Sequence, residues 1–248
     1  MRASQRKYSM RFLTAWAVIC LCLAVAMVYA QQAPVTAQVE ISRPNVTGHS
    51  NPLGSAADAS GVVLWLTPLD SAGIAPRRAL PQLVQRNKTF EPHVLVIQAG
   101  SVVEFPNQDP FLHNVFSLFD GKRFDLGFYE AGSSRTVHFD RAGVSFLFCN
   151  IHPEMSAVVV AVDSPYYALS DRAGRVAIRD IPDGRYRMQV WYERSLQDDL
   201  QAQSRMVTIS GSTRVLPSIR LAENPNFTLA HKNKYGQEYV PPAGGPTY

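Results

Sequence analysis

The chain has 248 residues, 24 Lys and Arg against 20 Asp and Glu, a formal charge of +4 and three Cys. Four of the basic residues, Arg2, Arg6, Lys7 and Arg11, and none of the acids lie before residue 31, so the remainder carries equal numbers of each sign. Such a balance excludes the electrostatic footprint of a nucleic-acid binder or of a protein that adheres to an anionic membrane surface.

The first residues are basic, Phe12 to Val28 is almost wholly apolar, and Val28-Tyr29-Ala30 ends in the small residue that a signal peptidase accepts. Residues 1–30 are therefore expected to be a signal peptide that places the protein in the periplasm. An uncleaved inner-membrane anchor is the alternative. Cleavage removes Cys20 and Cys22 and leaves Cys149. A single thiol in an oxidising compartment has no internal disulfide partner, and metal ligation gives it another use.

Pro and Gly punctuate the chain, 17 and 15 times, and no long segment repeats at period 3.6. Both features point to an all-β protein of short strands. Residues 31–37 read as a disordered leader, 39–42 as a short strand, 44–60 as loop and 61–66 as a buried strand. Residues 70–81 read as a linker, and a second unit begins near Leu83. Strands are expected at 94–97, 102–105, 113–116 and 135–139. A looped region containing Gly121, Gly127 and Gly132 separates the last two. About seven strands at this spacing suggest a Greek-key sandwich.

The apolar run from Val144 to Phe148 leads into Cys149-Asn150-Ile151-His152-Pro153-Glu154-Met155, and a second run, Ala157 to Val162, leaves it. A tight loop between two buried strands thus carries a thiolate, an imidazole and a thioether. One Cys, two His and a weak axial Met form the ligand set of a blue-copper site. The loop supplies all but one His, and His113 is the candidate for that. Zinc fits less well, because structural zinc sites rarely include a thioether.

Val103-Glu104-Phe105-Pro106-Asn107-Gln108-Asp109, His113-Asn114-Val115 and Cys149-x-x-His152-x-x-Met155 together resemble the cupredoxins. The ligand loop, with Pro153 directly after its His, is most similar to that of amicyanin. The resemblance covers residues 83–164. It implies a Greek-key β-sandwich holding one type 1 copper ion, with His113, Cys149 and His152 equatorial and Met155 axial. It also implies that the Asn114 side chain ties the two ligand-bearing loops together. Glu154 places a charge where amicyanin is apolar, so the docking surface and the partner need not be the same.

Phe105, Phe111, Leu112, Phe148 and Ile151 are the expected apolar surroundings of the sulfur. His152, between Ile151 and Pro153, is the expected electron exit. With Pro110, Phe111 and Leu112 it would form an apolar patch that docks briefly to a redox protein donor and acceptor. His93 and His138 read as structural, while His49 and His231 lie in loops and join no constellation. There is no His-rich substrate cluster, no legible Ser/His/Asp set and no phosphate-cradling loop, so no enzyme is expected.

Beyond Pro165, turns alternate with short strands, and Tyr186, Met188, Val190 and Tyr192 share one face. Here the pattern resembles a carboxypeptidase regulatory-like β-sandwich. The expected organisation is an outer sandwich formed by residues 38–82 and 165–223, a copper unit at 83–164 inserted between its strands, and an extended tail at 224–248. The expected function is exported single-electron transfer through a copper site of two His, one Cys and one Met. The rivals are a protein that buffers or delivers copper, and a partner-binding sandwich with a structural metal.

Overall fold

Apolar residues at every second position set most of the secondary structure, because successive side chains of an extended chain point to opposite faces. A computed structural model describes residues 33–43, 58–70, 80–228 and 230–239. The expected signal segment, His49, most of the 44–60 and 70–81 connections and the last nine residues lie outside them. The described chain is all-β, with strands β1 (Val35–Ser42), β2 (Val63–Pro68), β3 (Val84–Arg86), β4 (Thr89–Glu91), β5 (Val94–Gln98), β6 (Ser101–Pro106), β7 (His113–Ser117) and β8 (Phe124–Tyr129). There follow β9 (Ser134–Phe139), β10 (Gly143–Phe148), β11 (Ser156–Val162), β12 (Tyr167–Leu169), β13 (Arg175–Ile178), β14 (Gly184–Trp191), β15 (Arg205–Ile209) and β16 (Ile219–Ala222). One short helix, α1 (Gln197–Ala202), packs Leu200 inward.

Strands from the two ends of the chain share sheets. β1 lies between β13 and β16, and β2 lies between β12 and β14, which pairs in turn with β15. The central residues build a five-stranded sheet in the order β5-β11-β10-β7-β8, faced by the β6-β9 pair. β11 runs antiparallel to β10 and parallel to β5. Its two faces meet different cores. Val158, Val160 and Val162 join the cluster of Val39, Leu64, Leu66 and Met188, whereas Ala157, Val159 and Ala161 pack with Phe105, Leu147, Cys149 and Met155. A strand buried on both faces has no polar side to show, which explains the unbroken apolar run at 157–162. The described residues from Pro34 onward form one compact unit.

Two elements differ from the sequence expectation, and one hairpin adds to it. β1 begins at Val35, inside the stretch read as a leader, because Val35, Ala37 and Val39 alternate inward against β13 and β16. The looped region after His113 contains β8, antiparallel to β7 with a bulge opposite Val115. Gly127, at φ 66, supplies the left-handed residue of that bulge, which masked the strand in the sequence. The hairpin β3-β4 turns through Asn87 and Lys88, at φ 53 and 56. Two successive left-handed residues define the hairpin turn whose twist matches its strands.

Candidate metal centre

β10 and β7 are antiparallel neighbours, with Phe148 opposite Phe116, so the chain leaving the end of β10 runs back alongside the start of β7. That adjacency brings His113, at the start of β7, to Cys149, directly after β10. The Nδ1 of His113 lies 3.8 Å from the Cys149 Sγ, and the Nδ1 of His152 lies 3.6 Å from it. Among the described residues, these three form one group whose ligand atoms all lie within 4.8 Å of each other. Donors bound at about 2.0–2.3 Å to one ion in a trigonal arrangement stand about 3.7 Å apart, so the spacing fits a metal centre. The chemistry of the set, two imidazoles and a thiol, suits a copper or zinc ion.

His113 is fully buried and oriented from behind. Its Nε2 donates to the Asp109 carboxylate at 2.7 Å, which leaves Nδ1 as the lone pair facing the sulfur. Asp109 is itself held by the β3-β4 turn, where the N–H groups of Asn87 and Lys88 reach its two oxygens at 2.6 and 2.9 Å. Burial acts to raise the Asp109 pKa, but the bonds from Lys88, His113 and Asn87 outweigh it and keep the group below the ordinary carboxylate value. The sequence reading missed Asp109. Its signal was a carboxylate four residues before the His, in a loop that ends a strand.

The Cys149 thiol is fully buried, and burial raises its pKa. Main-chain N–H groups of Asn114, Ile151 and His152 face the sulfur and act in the opposite sense, while the Glu154 charge adds to the rise. The site therefore keeps a neutral thiol until a cation displaces the proton, and it supplies three dipoles ready to solvate the thiolate. The loop closes on itself through Cys149 N–H to Met155 O at 3.2 Å and Met155 N–H to His152 O at 3.0 Å. Met155 is fully buried, in the same core cluster as Cys149 and Phe105.

At the surface, His152 is half-buried, its ring centroid 4.9 Å from that of His113 and 5.7 Å from that of Phe111. Burial lowers its pKa, and the neighbouring His113 lowers it further. Leu112 and Ile151 are 49% and 44% exposed, and Pro110 and Pro153 are exposed too. Phe111 is partly covered, with the Lys88 ammonium 5.6 Å from its centroid.

Two expected supports of the site play other parts. Phe148 faces away from Cys149, because adjacent residues of a strand point to opposite sides. Its ring stacks on His231 at 3.9 Å and lies near Phe116. The Asn114 side chain does not join the ligand loops. Its Nδ2 donates to Asp125 at 2.7 Å and to the Gly127 carbonyl at 3.0 Å, binding β7 to β8, and only its main-chain N–H faces the sulfur. His231, expected to join no constellation, stacks on Phe148 and has its Nδ1 3.2 Å from the Tyr239 hydroxyl. His93 bridges the Ser156 carbonyl and the Glu193 carboxylate.

No protein-family model matches the chain, and no relative matches among the curated proteins. Solved structures similar to it include a purple cupredoxin from Nitrosopumilus maritimus, 23% identical with a TM-score of 0.31, covering 33% of this chain and 99% of that one. Amicyanin from Paracoccus versutus is 20% identical with a TM-score of 0.31, covering 39% of this chain and 97% of that one. A copper-containing nitrite reductase from Thermus scotoductus is 22% identical with a TM-score of 0.33; 39% of this chain matches 25% of that one.

Proposed function

We propose that the protein is an exported carrier of single electrons, with His113, Cys149 and His152 as the strong donors to one copper ion and Met155 as a weak fourth. The supporting observation is the placement of both Nδ1 atoms at 3.6–3.8 Å from one buried thiol. A copper ion held there supplies one-electron exchange between its cupric and cuprous forms. The chain's own contribution is to keep the donors still. β7 and β10 fix where the two ligand-bearing segments start and end, Asp109 fixes the His113 ring, and the N–H groups of Asn114, Ile151 and His152 offset negative charge on the sulfur. Donors that do not rearrange between oxidation states lower the barrier to transfer.

The rim of Phe111, Leu112, Ile151 and Pro153 around His152 is the proposed contact for a redox donor and acceptor. Small apolar rims suit brief encounters. The basic and apolar residues 1–30 support export to the periplasm, and among the described residues no helix is long and apolar enough to cross a membrane. The flanking strands serve in this reading as a scaffold, and their likeness to a carboxypeptidase regulatory-like sandwich rests on sequence pattern alone.

One titration tests the assignment. Cu(II) added to the metal-free protein should produce the strong visible band of thiolate-to-copper charge transfer, and Cys149→Ser should abolish it. A colourless Cu(II) complex of the unmutated protein overturns the type 1 site. A coloured complex that surrenders its copper readily to an acceptor, without a reversible potential, turns the reading to copper delivery instead.

A further inference from the structure

The segment after β16, expected to lie extended over the surface, contains one capped turn where it is described. The Asn233 side-chain oxygen accepts the N–H groups of Tyr235 and Gln237 at 2.9 and 3.0 Å. The Asn233 and Gln237 main chains close the turn at 2.9 Å, with Gly236 at φ 76. Side-chain capping of this kind holds a turn without help from neighbours.

This turn is bonded to both segments that carry the donors. The Tyr239 hydroxyl donates to the Cys149 carbonyl at 2.8 Å. The Lys234 main-chain N–H donates to the Asn150 side-chain oxygen at 3.0 Å. The Lys234 ammonium reaches one oxygen of Asp125 at 2.7 Å, and the other oxygen of Asp125 accepts the Asn114 amide at 2.7 Å. Asn114 follows His113 and Asn150 follows Cys149, so one short segment connects the immediate neighbours of two proposed ligands. His231 completes the arrangement, its ring flat against Phe148, the residue before Cys149.

The physical need for such a connection is plain. β10 ends at Phe148, so the Cys149 carbonyl lies beyond the ladder, and a buried carbonyl without a partner is costly. The Tyr239 hydroxyl meets it. We propose that residues 231–239 act as a latch on the metal loop, with Tyr239 and Lys234 as positioning residues. They hold Cys149 and Asn150 against His113 and Asn114 and thereby set how fast the loop opens and a bound ion leaves. The copper readout rests on the carrier assignment; the opening of the loop does not.

The experiment is hydrogen exchange at the amides of Ile151, His152, Glu154 and Met155 in the metal-free protein, for Tyr239→Phe, Lys234→Met and the double variant. Tyr239→Phe keeps the ring against His231 and removes the hydroxyl's bonds to the Cys149 carbonyl and the His231 Nδ1, so exchange should rise at least about fivefold, and further in the double variant. Glu238→Gln, on the same segment but 80% exposed and facing Lys232, should change nothing. In the Cu(II)-loaded proteins, release to a chelator should quicken by a similar factor in the first three variants, and the visible band should shift in Tyr239→Phe. Unchanged exchange in the double variant overturns the latch. Absence of colour in the unmutated protein would defeat the carrier reading and leave the exchange result standing.

Discussion

The Asp109 carboxylate and the His113 ring meet across 2.7 Å with both groups buried, and the proton held between them leaves the Nδ1 that faces Cys149 with its lone pair free. Asp109→Asn keeps the shape but turns an acceptor into a group that also donates, opposite the Asn87 and Lys88 N–H groups and the His113 N–H. Partners of this type behind a metal-bound His are worth about 10–100-fold in metal affinity. Competition with a chelator should show a loss in that range, and an unchanged affinity would remove Asp109 from the site.

Met155 is buried beside Cys149, and in the proposed site its thioether is the weak donor. Met155→Leu conserves volume, so folding should cost less than about 1.5 kcal/mol. The variant should stay coloured with copper while its reduction potential moves, as measured by voltammetry. Loss of copper binding would make Met155 a principal ligand.

His93 connects the residues just after β14 to the start of β11. Its Nε2 is 2.8 Å from the Glu193 carboxylate, and its Nδ1 is 3.1 Å from the carbonyl of Ser156, the residue after Met155. Glu193 raises its pKa above the ordinary value, with burial opposing. A group whose folded pKa is raised gives its full stabilisation below the unfolded value of about 6.5 and loses it as pH climbs through the folded one. The melting temperature of the metal-free protein should therefore fall as pH rises from about 6.5 upward. His93→Gln should flatten that slope; a parallel slope in the variant would assign the dependence elsewhere.

Gly174 holds the β12–β13 turn against β1. At φ 75, a Cβ there would come within 2.1 Å of the Val39 carbonyl oxygen. Gly174→Ala should lower stability by roughly 2–3 kcal/mol, from strain and displaced backbone together. At Gly211 an added Cβ meets nothing within 4 Å, so Gly211→Ala is the matched control. Chemical denaturation of the pair reads the difference directly.

Leu112 is exposed and belongs to the proposed docking rim. If electrons leave there, two copies must bring these rims together in self-exchange. Leu112→Glu would set like charges face to face and slow the exchange roughly tenfold at low salt, with partial recovery on adding salt. Line broadening in mixtures of oxidised and reduced protein measures the rate, and a rate that does not change moves the exit elsewhere.

The meeting of His113, Cys149 and His152 was legible because donor spacing and flanking apolar runs are local patterns. A loop between two buried strands can end in few places. What escaped the sequence depended on contacts between distant residues. Asp109 carries meaning only once the Asn87-Lys88 turn is folded against it, and Lys234 and Tyr239 only once the chain has returned to Cys149 from far along its length. Phe148 and Asn114 were misjudged for a simpler reason. Neighbours in sequence along a strand occupy opposite faces, so closeness to a ligand in the chain does not mean closeness to its donor atom. β8 was hidden by Gly127, which marks a bulge as readily as it marks a loop.

The double-sided burial of β11 has a bearing on how the molecule is made and broken. Cutting out residues 83–164 would bare Val158, Val160 and Val162 to water, together with Val94, Val96 and Phe146 of the neighbouring strands. That surface is an adhesive stripe, and the excised piece would clump with its own kind before it ever met a metal ion. Melting should likewise strike both halves at one temperature, since neither can lose its neighbour and stay dry.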